Sequence, residues 1–273
     1  MTGVSELAVV SAKPTILAID TSTERLGVAL LHGEACACRH LQLGTGHANQ
    51  VLGLVEELLQ ECGVARAALD AIAVCRGPGG FTGLRIAISV AQGLALALDR
   101  PVVPVSGLRV LAAAAAGFTG ATAAMVATAP GPVVAVIDAR MGEFYAAAWK
   151  DAVAAMAGAA PLFPEALLKP DALREQVGQL AALTGGVAGQ EVGQEVGQEV
   201  GQFFGQFVGP GVTALAAVEP AWPGSCVLAW PDARVLAWLG RQGLLAGEGV
   251  PAEAAQPVYL RDQVAVPSVA RVA

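Results

Sequence analysis

The sequence of 273 residues is poor in the residue types that most often carry chemistry or charge-driven binding. Aromatic residues make up 5 % of it, and the only histidines are His32, His40 and His47. No two of them stand at i, i+4, the spacing that lets one helix face grip a metal ion, so no metal site is expected. Lys and Arg total 16 against 23 Asp and Glu, a formal charge of −7 with no basic run. Unaided binding to a nucleic-acid backbone needs clustered cations, which this chain lacks. Its five cysteines, Cys36, Cys38, Cys62, Cys75 and Cys226, are odd in number and without CxxC spacing. That pattern argues against a disulfide framework or a zinc knuckle and predicts reduced thiols. The longest uncharged stretch, Val110 to Ile137, is broken by glycine and proline, so it lacks the roughly 20 continuous apolar residues of a membrane span. The first fourteen residues have no basic start and contain Glu6, unlike a signal peptide. A cytoplasmic protein without membrane association is expected.

What is present is a core of alanine, valine, leucine and glycine, in a chain long enough for two lobes. Thr15 to Ile19 reads as a buried strand ending in Asp20-Thr21-Ser22-Thr23, and Leu26–Leu31 and Ala35–Leu43 as antiparallel strands after it. His47–Cys62 reads as an amphipathic helix, with Val51, Leu52, Val55, Leu58, Leu59 and Cys62 at helical spacing and Gly63 as its stop. Strands Ala71–Cys75 and Val102–Val105 flank a glycine-rich loop and a second helix. Ser106–Ala116 reads as helix, Val133–Ile137 as a strand ending in Asp138, and Glu143–Trp149 as its return. A strand, an acid and a hairpin thus open each half, which suggests a duplicated α/β fold with a mixed sheet and flanking helices in each lobe. The expected organisation is a flexible N-terminus at 1–14, lobes at 15–105 and 106–262, and a tail at 263–273. Within the second lobe, residues 189–208 repeat Gly-Gln-Glu-Val and then Gly-Gln-Phe. Glycine at every fourth position costs a helix about 1 kcal/mol each, so a surface insertion is expected there. Leu236–Leu245 reads as a late helix and Pro257–Arg261 as a final extended segment.

The most informative segment is the loop Gly77-Pro78-Gly79-Gly80-Phe81-Thr82-Gly83-Leu84-Arg85. A glycine turn feeding a helix usually suggests a phosphate cradle. This one has neither the Gly-Lys-Ser/Thr of a P-loop nor the third glycine of a dinucleotide turn, where Thr82 stands. The loop is therefore read as structural, through Gly77, Pro78, Gly79, Thr82 and Gly83. The helix behind it, Ile86–Leu98, is apolar on nearly all sides. Its small residues form two rows at i, i+4: Ala87, Ala91, Ala95 and Ser89, Gly93, Ala97. Such a helix is buried on more than one side, and small residues let another backbone come close. Periodicity leaves two readings open, a central helix of a monomeric core or a helix shared with a partner subunit. Arg85, placed in a helix first turn where the dipole disfavours a cation, suggests a specific anionic partner.

Four segments in order resemble one family: Ile19–Thr23; the GPGGFTGLR loop with Ile86 and Ala91–Ala95; Ile137–Glu143 with Tyr145; and Pro257–Arg261. The chain is similar to the TsaB (YeaZ) family, the dimerisation subunits of the bacterial tRNA threonylcarbamoyladenosine machinery, from about Thr15 to Arg261. Gly80 stands where that family usually has serine, which removes a hydroxyl at the helix start but keeps the turn. The resemblance implies a two-lobed actin/Hsp70/sugar-kinase-like (ASKHA) fold. Working members of that superfamily hold nucleotide between the lobes; the counterparts here are Asp20, Thr21 and Ser22, then Asp138, Arg140 and Gly142, and the glycine turn at Gly209 and Gly211. A phosphate hairpin needs small residues for close backbone approach. Arg140 and Met141 occupy that place, so a degenerate site without tightly bound cofactor is expected, ATP binding only weakly or in the complex. The metal-binding HxxxH pair of the catalytic paralogue falls on Val105–Leu111 here, where there is no histidine.

The resemblance further implies a non-catalytic scaffold. A separate enzyme makes threonylcarbamoyl-adenylate, a TsaD-type paralogue transfers the threonylcarbamoyl group to an adenosine beside the anticodon, and a TsaE-type ATPase resets the assembly. This chain would pair with the paralogue, meet tRNA only through the complex, and form a homodimer when alone. Its expected interface is Val51, Val55, Leu58, Arg85, Ser89, Ala91, Gly93 and Ala97. The alternative is a small-molecule kinase or ATPase of the same fold, using Asp20 or Asp138. A protease reading finds no nucleophile–base constellation.

Overall fold

A computed structural model describes residues 13–119, 124–125, 131–183, 205–218 and 225–261. The expectations for residues 1–12, for the tail at 263–273 and for the repeat up to residue 204 lie outside the described residues.

The first sheet has the order β3-β2-β1-β4-β5, from β1 (Ile16–Asp20), β2 (Arg25–His32), β3 (Ala35–Gln42), β4 (Ala71–Gly77) and β5 (Val102–Ser106). The hairpin strands pair antiparallel; β4 and β5 add in parallel after α1 (His47–Glu61) and α2 (Phe81–Leu98). β1 alternates with a period of two: Leu17 and Ile19 face α1 and α2, while Ile16 and Ala18 face the middle of the molecule. Both sides are apolar, as expected of a strand covered on two faces.

α3 (Gly107–Ala114) follows, capped by Ser106, whose Oγ accepts the Arg109 N–H at 3.1 Å. After a two-residue pair, β6 (Phe118–Thr119) and β7 (Ala124–Met125), the first pattern repeats. β8 (Val133–Arg140), β9 (Glu143–Trp149), β10 (Phe163–Leu168), β11 (Gln206–Val208) and β12 (Ser225–Val227) form a sheet of order β10-β9-β8-β11-β12. The strand orders correspond one for one, so the fold is the two-lobed, duplicated α/β arrangement of the ASKHA type. α4 (Ala152–Met156) caps the space beside α3, and α5 (Pro170–Leu183) and α6 (Val212–Val218) cover the outer face of the second sheet.

The last helix, α7 (Ala233–Leu245), packs on β1, β2 and β4 of the first sheet, whereas α3 packs on β8 and β9 of the second. The two helices also touch each other, so one continuous core runs between the sheets. α2 starts earlier than the sequence suggests, at Phe81 rather than Ile86. By length and composition alone α2 matches a membrane span. One of its faces, Leu84, Ala87, Ile88, Ala91 and Ala95, is buried.

Candidate functional site

The ends of β1 and β8 point toward each other across a cleft of about 980 Å³ between the lobes. Thr21, Ser22, Asp138 and Arg140, four of the residues singled out in the sequence, line it together with Gly79, Thr82 and Gly83 of the glycine loop. The two hairpins that meet there are built alike. The Asp20 Oδ1 accepts the Ser22 N–H at 2.7 Å, and the Asp138 Oδ1 accepts the Arg140 N–H at 2.7 Å. Each acid closes a tight turn by replacing a backbone acceptor, the Asx geometry favoured by aspartate. Each acid thus commits one carboxylate oxygen to its own hairpin.

Asp20 is also sealed off. It is 2 % exposed, and burial pushes its carboxyl above the usual range against the pull of the Ser22 bonds. Its Oδ2 has no hydrogen-bond partner among the described residues. Beside it lies Cys75, whose thiol burial also raises, with the Asp20 charge adding to the effect. Asp20 itself does not line the cleft.

What seals it is the glycine loop. A Cβ on Gly83 would lie 1.9 Å from the Thr21 carbonyl oxygen, and one on Gly79 would lie 2.6 Å from that of Ser22. Those contacts leave no room for any side chain. Thr21 Oγ1 donates to the Gly83 carbonyl at 2.6 Å, and the Gly80 N–H donates to the Ser22 carbonyl at 2.7 Å. Gly77 is similarly crowded by the Val258 carbonyl, 2.9 Å from where its Cβ would be. Two backbone groups of the loop, the Gly80 N–H and the Gly83 carbonyl, thus hold the first hairpin. The second lobe repeats the device: a Cβ on Gly209 would lie 2.1 Å from the Val136 carbonyl oxygen, and one on Gly211 2.8 Å from the Asp138 nitrogen. The glycine turn packs on β8, and Pro210 lines the cleft whereas Gly209 and Gly211 do not.

The second hairpin does not fit a phosphate. Arg140, Met141 and Gly142 are all left-handed, with φ of 66°, 58° and 74°. Arg140 reaches across to Glu24 of the first hairpin at 3.4 Å and back to Asp138 at 3.5 Å. An ion pair, mostly exposed, spans the gap where two phosphate-binding turns would have to close on one anion. No group of three metal-ligating side chains exists among the described residues.

Phe81, Tyr145, Trp230, Tyr259 and Arg261 also line the cleft. All but Trp230 fall in the segments that carry the resemblance, yet none was assigned to the site from sequence. The segment around Tyr259 crosses from one lobe to the other. The Val258 N–H donates to the Arg76 carbonyl at 2.8 Å, while Arg261 pairs with Glu143 at 2.7 Å and donates to the Ala139 carbonyl at 3.0 Å. In a sequence with 5 % aromatics, a tyrosine two residues from an arginine near the end of the fold was the available signal.

The predicted interface residues divide. Val51, Val55, Leu58 and Ala91 are 0 %, 4 %, 0 % and 0 % exposed, buried against the first sheet, and so cannot meet a partner. Leu52 and Cys62, expected on the apolar face of α1, are exposed instead. On α2 the two small-residue rows face opposite ways. Ala87, Ala91 and Ala95 are buried, while Arg85, Ser89, Gly93 and Ala97 form one exposed ridge. Nothing lies within 4 Å of a Cβ built on Gly93 or on Gly53 of α1, and Leu52 and Leu96 are 55 % and 76 % exposed. Arg85 meets no carboxylate among the described residues. Its Nε donates to the Tyr259 hydroxyl at 3.0 Å, and with the helix beginning at Phe81 it stands beyond the first turn.

Three comparisons bear on this geometry. A family model described as TsaD, tRNA N6-adenosine threonylcarbamoyltransferase, matches residues 43–218. The tRNA threonylcarbamoyladenosine biosynthesis protein TsaB of Escherichia coli is 35 % identical over 260 residues, covering 92 % of this chain and 96 % of that protein. A tRNA N6-adenosine threonylcarbamoyltransferase of Herminiimonas arsenicoxydans is 45 % identical, but over only 62 residues, 23 % of this chain and 18 % of that enzyme. The solved structure of YeaZ from Pseudomonas aeruginosa superposes with a TM-score of 0.69 at 37 % identity, covering 90 % of this chain and all of that one. Matched over nearly the whole length of both chains by a TsaB protein, the chain belongs to the TsaB family.

Proposed function

We propose that this chain takes part in tRNA threonylcarbamoyladenosine biosynthesis as a non-catalytic docking subunit for a TsaD-type transferase. The observation that carries the reading is the outer face of α2. Ser89, Gly93 and Ala97 lie bare on a largely apolar helix, with Leu52 and Leu96 exposed alongside. A smooth apolar ridge lets a second helix approach closely, and covering it removes area worth about 25 cal/mol per Å². Without the transferase the same ridge pairs with a second copy. The cleft supports the reading by what its residues are occupied with: Asp20 is buried, Asp138 accepts the Arg140 N–H of its own turn, and Arg140 spans the hairpins. A TsaE-type ATPase and tRNA then meet this chain in the assembled complex, in the cytoplasm.

Co-purification with the transferase of the same genome, with and without nucleotide, tests the partner. Calorimetric titration with Mg-ATP tests the cleft, where binding weaker than about 0.1 mM is expected. Micromolar binding with turnover that disappears in Asp138→Ala would instead establish a kinase or ATPase of this fold.

A further inference from the structure

Arg85 is the only charged residue in α2 and heads its exposed ridge, four residues before Ser89 and eight before Gly93. That spacing puts all three along one side of the helix. The guanidinium is held from two directions. Its central carbon lies 3.7 Å from the centre of the Phe81 ring and 6.0 Å from that of Tyr259, while its Nε donates to the Tyr259 hydroxyl. The two rings, 5.3 Å apart, are tilted by 35°. Tyr259 is itself fixed, since its neighbour Val258 is bonded to β4 and Gln92 of α2 donates to the Ala255 carbonyl at 3.0 Å.

An exposed arginine usually gives up side-chain freedom only when a partner arrives, at a cost that weakens binding. Here the ordering is built into the free chain. Stacking and the Nε bond use one edge and one face of the guanidinium, and both Nη groups remain without a partner among the described residues. A planar fork with two parallel donors matches a carboxylate. A phosphorylated or nucleic-acid partner would call for a cluster of cations, whereas α2 supplies one.

We propose that Arg85, held by Phe81 and Tyr259, captures a carboxylate on the surface of the TsaD-type partner and fixes the orientation in which it docks on α2. The inference rests on the docking reading above and adds the partner's chemistry at one end of the ridge. The apolar row supplies contact area without direction, and a single charge at its end distinguishes one way of docking from the reverse.

The test measures binding of the full chain to the full-length TsaD-type transferase of the same genome, at about 0.1 M and 1 M salt. Arg85→Glu is expected to weaken binding at least about tenfold at low salt, with the gap to wild type narrowing at high salt. Arg85→Gln, which removes the charge without adding an acid, should fall between them, and Tyr259→Phe should lose part of the affinity because the fork is no longer held. A loss below tenfold for Arg85→Glu, or a gap unaffected by salt, overturns the proposal. Gly93→Arg separates the two levels. If it abolishes binding and Arg85→Glu does not, docking stands and the carboxylate contact falls. If neither weakens binding, both fall.

Discussion

His40 offers a test of how the two ends of the chain are joined. It sits on β3, and its Nε2 accepts the backbone N–H of Ala233, the first residue of α7, at 3.1 Å. The ring nitrogen therefore carries no proton on that side, and the proton is on Nδ1. Asp232 Oδ1 lies 3.7 Å from the same nitrogen, too far for a hydrogen bond, so the pair is not a salt bridge while the ring is neutral. Burial, with Arg25 and Arg234 nearby and against the pull of Asp232, lowers the His40 pKa from 6.5 to about 4. Only 13 % of the side chain is exposed, so solvent screens little of this. In the unfolded chain the imidazole takes a proton near pH 6.5; in the folded chain it stays neutral until about pH 4. The stabilising effect is complete above pH 6.5 and is lost as pH falls toward 4. At pH 5, about 1.5 units below the unfolded value, the loss comes to about 2 kcal/mol at 1.36 kcal/mol per unit. Urea unfolding of wild type and His40→Gln at pH 7.5 and pH 5 measures it, since glutamine can accept the same N–H without titrating. Other groups titrate alike in both proteins, so the difference between the two pH dependences isolates His40. Wild type should lose about 2 kcal/mol more than His40→Gln. Equal losses would show that the imidazole does not act as the neutral acceptor for α7.

Two further predictions concern named contacts. Gly83→Ala, with its Cβ driven to 1.9 Å from the Thr21 oxygen, should destabilise by 3 kcal/mol or more on the order-of-magnitude scale of forced backbone shifts. Gly93→Ala, in open space on an exposed helix face, should instead gain up to about 1 kcal/mol. Thermal melts of the two variants decide whether the loop is a clamp, and similar melting temperatures would refute it. Arg261→Ala removes the Glu143 ion pair and its bonds to the Ala139 and Arg140 carbonyls. It should cost about 2 kcal/mol and raise amide exchange in the turn at 139–142, whereas unchanged exchange there would mean that the hairpin holds itself.

Much of the fold was legible because its strands are apolar runs bounded by turns, and the acid-ended hairpin appears twice. The inner face of α1 was legible too. Val51, Val55 and Leu58 recur at helical spacing, and that periodicity marks a core face; assigning them to a partner set the resemblance above the physics. α2 was harder. Its apolar residues surround the helix, so no moment distinguishes Ala91 from Gly93, and only the sheet beneath does. The start of α2 was misjudged because Gly and Thr are poor helix formers, whereas the contacts of Gly83 with Thr21 hold that turn in place. The return of α7 to the first sheet and the reach of Arg261 to the second hairpin are long-range contacts that no local pattern encodes.

If the bare ridge of α2 is a docking surface, the isolated chain pairs through it. Sedimentation velocity of the isolated chain, beside Gly93→Arg and Ala97→Arg, tests this without any assumption about the partner. Wild type is expected to be a dimer and both variants folded monomers. A monomeric wild type at tens of micromolar, or dimers that survive both substitutions, would contradict it.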